Sequence, residues 1–132
     1  MAQKILILDD DEEIIELLKR GLRDMPFDIV FSTGGVDAAA RIFEAYANDE
    51  PFDALVMDCA LPRLDGFTIG KMVRMAESTG VSKRAKIAYF TAFPKTVEKS
   101  SLLAEVGAEA YWRKPEDTQN LPTLISRWVQ GQ

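Results

Sequence analysis

The chain has 132 residues, of which 47% are hydrophobic and 28% are charged, and its formal net charge is −5 at pH 7. This length and composition predict a single globular domain over residues 1–132. The negative charge argues against a surface that binds nucleic acid through phosphate contacts alone. Because the chain has no histidine and one cysteine, a structural zinc site and a Ser-His-Asp or Cys-His mechanism are excluded.

The expected compartment is the cytoplasm. Cys59 is the single cysteine, so a disulfide bond cannot form within the chain. The N-terminus lacks the cationic and apolar regions of a signal peptide. The uninterrupted apolar runs are too short to cross a bilayer, and we therefore expect no membrane partner.

Five short apolar segments alternate with five helical patterns along the chain. The predicted strands cover residues 5–8, 27–32, 54–57, 86–90 and 110–112. The predicted helices cover residues 11–24, 36–48, 67–78 and 94–106, and a last helix is capped by Asp117 or Thr118. Residues 80–84 are predicted to form a basic, polar connection.

This alternation indicates an α/β domain with a parallel sheet, helices on both faces and right-handed crossovers. For five strands we expect a flavodoxin-like, doubly wound (βα)5 fold with the strand order 2-1-3-4-5.

Charged and polar side chains follow four of the five predicted strands. Asp9 and Asp10 follow the first strand, Asp58 the third, Thr91 the fourth and Lys114 the fifth. The carboxyl ends of parallel strands share one edge of the sheet, and neighbouring strands lie about 4.8 Å apart. We therefore expect these side chains to converge on one pocket.

The acidic run over residues 9–13 has two predicted roles. Its last three acids suit the first turn of a helix, where carboxylates favour the helix dipole. Asp9 and Asp10 instead face Asp58, and carboxylates about 4 Å apart repel by roughly 4 kcal/mol at an effective dielectric of 20. A divalent cation reverses this repulsion, and all-oxygen ligands favour Mg²⁺. With an ammonium group and a hydroxyl group opposite, the pocket suits phosphoryl transfer to a carboxylate.

Several short motifs carry a resemblance that covers essentially the whole chain. They are Leu8-Asp9-Asp10, Met57-Asp58, Leu61-Pro62-Arg63-Leu64-Asp65-Gly66, Phe90-Thr91-Ala92 and Tyr111-Trp112-Arg113-Lys114-Pro115. Each motif alone is weak, but together, in this order and at the strand ends, they form a strong signal. The chain resembles a receiver domain of two-component response regulators.

The resemblance implies a role for each matching residue. Asp58 would be the phosphoacceptor, and Thr91 and Lys114 would contact the phosphoryl group. Tyr111 would be the aromatic switch, which moves inward as Thr91 is drawn to that group. The peptide bond before Pro115 would be cis.

The resemblance also implies Mg²⁺ as the cofactor. Its ligands would be Asp9, Asp10, Asp58 and the backbone carbonyl of Ala60, with Asp9 binding directly or through water. The implied activity is that of a phosphoacceptor switch with weak intrinsic autophosphorylation and autodephosphorylation chemistry, rather than that of a turnover enzyme.

The implied partners are a histidine kinase or phosphotransfer protein and a downstream effector protein or domain. No direct nucleic-acid partner is expected. The output surface would be formed by the fourth helix, the fifth strand and the fifth helix, and the same face could support a homodimer.

Three alternatives stay open. A pseudo-receiver would keep the fold as an interaction module without being phosphorylated. A hydrolase of the aspartyl-phosphate type would require a second acid where the chain has Ala60. A flavin-binding module of the same fold would not be expected to have an acidic first loop.

The side chains of Ala60 and Phe93 carry no group that can orient a water molecule. We therefore expect a long-lived phosphorylated state.

Overall fold

The computed structural model describes residues 2–80 and 83–132. Its strands are β1 (Gln3–Leu8), β2 (Phe27–Ser32), β3 (Ala54–Met57), β4 (Lys86–Thr91) and β5 (Ala110–Arg113). Its helices are α1 (Glu12–Gly21), α2 (Gly35–Ala47), α3 (Gly66–Ser78), α4 (Val97–Val106) and α5 (Leu121–Val129). Among the described residues, no helix is long and apolar enough to cross a membrane.

The five strands form one parallel sheet in the order β2-β1-β3-β4-β5. This order confirms the predicted flavodoxin-like, doubly wound fold. The register aligns Leu8 of β1 with Met57 of β3, so both strands end at the same level. The residues that follow them therefore emerge side by side at the carboxyl edge of the sheet.

Two hydrophobic layers cover the two faces of the sheet. Alternate residues of β1 point to opposite faces, so Leu6 packs with α2, α3 and α4 while Ile7 packs with α1 and α5. Both side chains are at most 1% exposed. Burying an aliphatic side chain of this size stabilises the fold by about 1.5–3 kcal/mol, and these layers hold the strand ends in place.

The first helix ends earlier than its apolar pattern predicted. The predicted helix reached residue 24, whereas α1 ends at Gly21 and the Leu22 amide donates to the Leu18 carbonyl at 2.9 Å. A β-carbon on Gly21 would lie 2.4 Å from Pro122 Cγ. The end of α1 is thus packed closely against α5, and the chain turns away immediately after it.

The predicted start of the fourth helix at Pro94 is also wrong. The helix begins at Val97, because Thr96 is the cap and its Oγ1 accepts a hydrogen bond from the Lys99 amide at 3.1 Å. A capping hydroxyl two residues after Pro94 outweighs the preference of proline for a first helical turn.

Neither residue predicted to cap the last helix does so. The Asp117 carboxylate instead accepts a hydrogen bond from the Arg113 amide at 2.8 Å. Thr118 begins a single 3-10 turn that ends at Asn120, and α5 follows with Pro122 in its first turn. For the predicted connection over 80–84, residues 81 and 82 lie outside the described residues.

Candidate functional site

Two buried carboxylates lie side by side where β1 and β3 end. The Asp9 amide donates to the Ser32 carbonyl at 3.1 Å, and the Asp58 amide donates to the Leu8 carbonyl at 3.0 Å. These bonds extend the strand ladder by one residue and fix both backbones. Asp9 is 2% exposed and Asp58 is 6% exposed, so both carboxylates lie in a poorly solvated pocket where a cation is strongly favoured.

Lys114 supplies that cation from the end of β5. Its Nζ lies 2.8 Å from Asp9 Oδ2 and 3.0 Å from Asp58 Oδ2. Its amide donates to the Thr91 carbonyl at 2.9 Å, and the Lys114–Pro115 peptide bond is cis. The ammonium also lies 5.1 Å from the centre of the Phe90 ring, so it is held among an aromatic ring and two carboxylates.

Burial and ion pairing together shift the pKa values of Asp9 and Lys114. Burial raises the pKa of the Asp9 carboxyl, and the hydrogen bonds from Lys114 and the Asp11 amide only partly oppose the rise. Burial disfavours the charged form of Lys114, but its bonds to Asp9 and Asp58 outweigh this and raise its pKa. The ammonium is therefore charged throughout the physiological range.

A third carboxylate completes the acidic group. Asp10 is exposed, and one oxygen from each of Asp9, Asp10 and Asp58 lies within 4.8 Å of the others. These three carboxylates could hold a Mg²⁺ ion through their oxygens, and the ion would supply positive charge that offsets their mutual repulsion. The all-oxygen donor set suits a hard cation, and the predicted carbonyl ligand of Ala60 stays a prediction.

The remaining acids of the opening run belong to the helix. The Asp11 side chain accepts a hydrogen bond from the Glu13 amide at 2.9 Å and caps α1, whose first turn contains Glu12 and Glu13. The Asp11 amide donates to Asp9 Oδ1 at 2.9 Å. The cap thereby also orients the carboxylate of Asp9, which links the helix start to the pocket.

Thr91 and Tyr111 lie on one face of the sheet and are connected through Phe93. The Phe93 amide donates to Thr91 Oγ1 at 3.4 Å, and the Tyr111 hydroxyl donates to the Phe93 carbonyl at 2.8 Å. Thr91 is fully buried. Burial, aided by the neighbouring Cys59, raises the pKa of the Tyr111 hydroxyl to about 12, so this hydroxyl is a neutral donor.

Cys59 is a small buried side chain between these groups and Asp58. It is 4% exposed and belongs to the layer formed with α2, α3 and α4. Burial raises the pKa of its thiol, while the hydroxyls of Thr91 and Tyr111 oppose the rise. A neutral thiol of this kind is a packing residue.

Sequence reasoning missed one charged residue near the pocket. The ammonium of Lys99 lies 5.2 Å from the centre of the Phe67 ring and 5.0 Å from that of Phe93. The side chain reaches this position because α4 begins at Val97. The Thr96 hydroxyl, an available cap just before an apolar residue, was the signal that could have placed it.

The fold and the acidic pocket define a doubly wound α/β domain that can hold a cation and an anion at one edge of its sheet. The chain belongs to the response regulator receiver domains, because the family model of that description matches residues 5–126. It is a receiver domain of the kind found in two-component response regulators. Such domains are in general phosphoacceptor switches rather than dedicated enzymes.

Similar proteins agree with this family. The alkaline phosphatase synthesis transcriptional regulatory protein PhoP of Bacillus subtilis is 32% identical over 115 residues, which cover 87% of this chain and 43% of PhoP. The response regulator MprA of Mycobacterium ulcerans is 36% identical over 115 residues, which cover 87% of this chain and 45% of MprA. The chain thus spans less than half the length of these relatives.

A solved structure shows the same fold. The signal receiver domain of a Luxo repressor protein from Vibrio parahaemolyticus superposes with a TM-score of 0.79 at 21% identity, covering 99% of this chain and 92% of that chain. At this identity the likeness concerns the fold alone. The family membership favours neither the hydrolase nor the flavin-binding alternative.

Proposed function

We propose that Asp58 accepts a phosphoryl group from a histidine kinase or a phosphotransfer protein in a Mg²⁺-dependent reaction. The observation that supports this most directly is the bridge from Lys114 Nζ to Asp58 Oδ2 and Asp9 Oδ2, at 3.0 and 2.8 Å. A buried carboxylate held by a cation, beside two further carboxylates, is suited to act as a nucleophile toward phosphorus.

Each protein group has a separate part in the proposed transfer. An oxygen of Asp58 forms a bond to phosphorus while the bond from phosphorus to the donor nitrogen or oxygen breaks, and the electron pair leaves with the donor. The Ala60 amide, 2.9 Å from Asp58 Oδ1, orients the carboxylate. Lys114 moves its charge toward the phosphoryl oxygens, and the Thr91 hydroxyl donates to one of them.

Mg²⁺ would be held by Asp9, Asp10 and Asp58, with the Ala60 carbonyl as a further ligand. When bound, the ion supplies positive charge that offsets the repulsion between these carboxylates and an anionic phosphoryl group. The three carboxylate oxygens within 4.8 Å of one another support this assignment. These 132 residues contain no histidine, so a phosphohistidine donor would lie outside this domain.

The proposed switch uses the connection through Phe93. When the Thr91 hydroxyl turns to the phosphoryl group, its contact with the Phe93 amide is lost. Phe93 also accepts the Tyr111 hydroxyl bond, so the change at Thr91 releases Tyr111 to move inward. Phosphorylation adds about −1.5 to −2 charge, which is the driving force for this rearrangement.

Receiver domains act between histidine kinases and effector domains. The proposed output face consists of α4, β5 and α5. Val97, the first residue of α4, is 88% exposed, and Phe93, in the segment before α4, is 46% exposed. These apolar side chains could contact an effector or a second copy of the chain.

The central test is intact-mass spectrometry after incubation with acetyl phosphate and Mg²⁺. We expect one phosphoryl adduct, absent after Asp58→Asn or removal of Mg²⁺ by a chelator. Asp65→Asn is the matched control, because Asp65 caps α3 through its side chain and asparagine caps equally well. An adduct that persists in Asp58→Asn would contradict the assignment. An absent wild-type adduct, also with kinases as donors, would favour the pseudo-receiver.

A further inference from the structure

Lys99 is the one partly buried residue within an exposed segment. Residues 92–98 and residue 100 are all exposed, although they approach the carboxyl edge of the sheet. The Lys99 ammonium instead turns inward and lies about equally far from two ring centres, 5.0 Å from Phe93 and 5.2 Å from Phe67. Contacts of a cation with two aromatic faces hold the side chain in this position.

Both rings belong to segments that flank the acceptor. Phe67 follows Gly66, whose added β-carbon would lie 2.5 Å from the Asp58 carbonyl oxygen. Phe93 donates its amide to Thr91. The ammonium of Lys99 therefore lies between the segment after Asp58 and the segment after Thr91. Burial raises the pKa of the Cys59 thiol, and the charge of Lys99 is close enough to oppose that rise.

The charge balance of the pocket indicates a role for the ammonium group of Lys99. Asp9, Asp10 and Asp58 repel an approaching anion, and the ammonium of Lys114 is already bound to two of these carboxylates. A second cation next to aromatic rings, where fewer water molecules screen it, lowers the electrostatic cost of bringing a phosphoryl donor to the pocket.

We propose that Lys99 is a positioning residue for phosphoryl transfer, whose ammonium group between Phe67 and Phe93 attracts the anionic phosphoryl donor toward Asp58. This inference rests on the proposed function, since it concerns the same reaction. Lys99 acts through its field and not by contact with Asp58. The competing explanation is that Lys99 only joins α4 to α3 through its packing on the two rings.

The test compares initial rates of phosphorylation by acetyl phosphate, measured by intact mass on the full chain at saturating Mg²⁺. Lys99→Met keeps an unbranched side chain over the rings and removes the charge. We expect it to react about three- to tenfold more slowly than wild type at low ionic strength. In about 1 M salt, where the screening length is roughly 3 Å, the difference should fall below about twofold.

Two variants control this comparison. Lys95→Met removes a charge from an exposed lysine of the same segment and should change the rate by less than about twofold. Lys99→Arg should keep most of the wild-type rate. Circular dichroism checks that each variant is folded, and Lys99→Gln replaces Lys99→Met if that variant is not.

The outcomes separate the two proposals. If wild type is phosphorylated and Lys99→Met reacts at the wild-type rate, the role of Lys99 is overturned and Asp58 stays the acceptor. A slow rate that high salt does not restore also overturns it, because the packing explanation then suffices. If wild type receives no phosphoryl group from any donor, the proposed function fails and the role of Lys99 fails with it.

Discussion

Lys114 Nζ lies 3.0 Å from Asp58 Oδ2, although the strands that carry the two residues are not neighbours in the sheet. β4 lies between them, and its last residue, Thr91, accepts the Lys114 amide hydrogen bond. The lysine thus extends past the end of β4 to reach the pocket at β3 and β1. This bridge pairs one ammonium group with two buried carboxylates, so it offsets one of their two negative charges.

Removing the bridge is expected to destabilise the metal-free protein. Lys114→Met leaves Asp9 and Asp58 buried without their cation, and breaking a buried ion pair of this kind costs about 3 kcal/mol. Urea unfolding at pH 7 with a chelator measures the change. Lys19→Met is the control, because the Lys19–Glu16 pair is exposed and such pairs contribute less than about 1 kcal/mol. Equal losses in both variants would rule out a buried bridge.

The division of the acidic run at Asp10 predicts opposite effects of two neighbouring substitutions. Asp10→Asn removes an exposed charge that repels Asp9 and Asp58, so the metal-free protein should be as stable as wild type or more stable. It should nevertheless abolish the rise in Tm that Mg²⁺ produces, because one of the three carboxylates is lost.

Asp11→Ala should behave in the opposite way. It removes the cap of α1 and should cost about 1 kcal/mol, while the rise in Tm with Mg²⁺ stays. Thermal melts with and without Mg²⁺ measure both effects. A Mg²⁺ response that survives Asp10→Asn and disappears in Asp11→Ala would reverse the assignment of these residues.

The position of Asp9, Asp58 and Lys114 could be predicted because each follows an apolar strand. The bounds of β2 and β3 match the predicted residues, and in a parallel sheet the strand ends determine where the next side chains meet. The chain order of strands and helices was sufficient for the sheet order, since right-handed crossovers and two covered faces leave few arrangements.

The helix ends were harder to predict, because they depend on competition between nearby capping residues and on contacts between distant segments. At the start of α4, the Thr96 cap outweighs the preference of Pro94. The Asp117 carboxylate accepts a hydrogen bond from the Arg113 amide, and the sequence position of Asp117 does not reveal this contact. The inward position of Lys99 depends on both the true start of α4 and the ring of Phe67, and no periodicity in the sequence encodes it.

Asp53, which precedes β3 at the amino-terminal edge of the sheet, leads to a prediction about how stability depends on pH. Burial alone would raise the pKa of Asp53, but hydrogen bonds from the Lys4 amide and the Lys83 ammonium outweigh it and lower that pKa. Asp53 therefore stabilises the fold above the ordinary carboxylate pKa, and this contribution is lost as the pH falls through the lowered folded-state value.

Asp53→Asn should accordingly lower the unfolding free energy at pH 7 by roughly 1 kcal/mol. The difference from wild type should shrink as the pH falls below about 4. Urea unfolding across this range measures it. Asp28→Asn, at an exposed residue of β2, should change stability by less than about 0.5 kcal/mol at pH 7. A difference for Asp53→Asn that grows toward low pH would contradict the assigned sign.

Two adjacent glycines at the start of α2 should respond differently to alanine. A β-carbon on Gly35 would lie 1.8 Å from the Leu64 carbonyl oxygen, in the loop that follows Asp58, whereas one on Gly34 meets no atom within 4 Å. Gly35→Ala should therefore cost about 3 kcal/mol, and Gly34→Ala, at the cap position, about 1 kcal/mol or less. Similar unfolding free energies for the two variants would argue against this close packing.

The most direct test of Asp58 as the phosphoacceptor locates the phosphoryl group on the unmutated chain. After phosphorylation with acetyl phosphate and Mg²⁺, borohydride reduces an aspartyl phosphate to homoserine, and fragment mass spectrometry identifies its position. We predict homoserine at position 58 alone, and none when phosphorylation is omitted. Homoserine at position 9 or 10, or its absence from protein that carries a phosphoryl group, would contradict Asp58 as the acceptor.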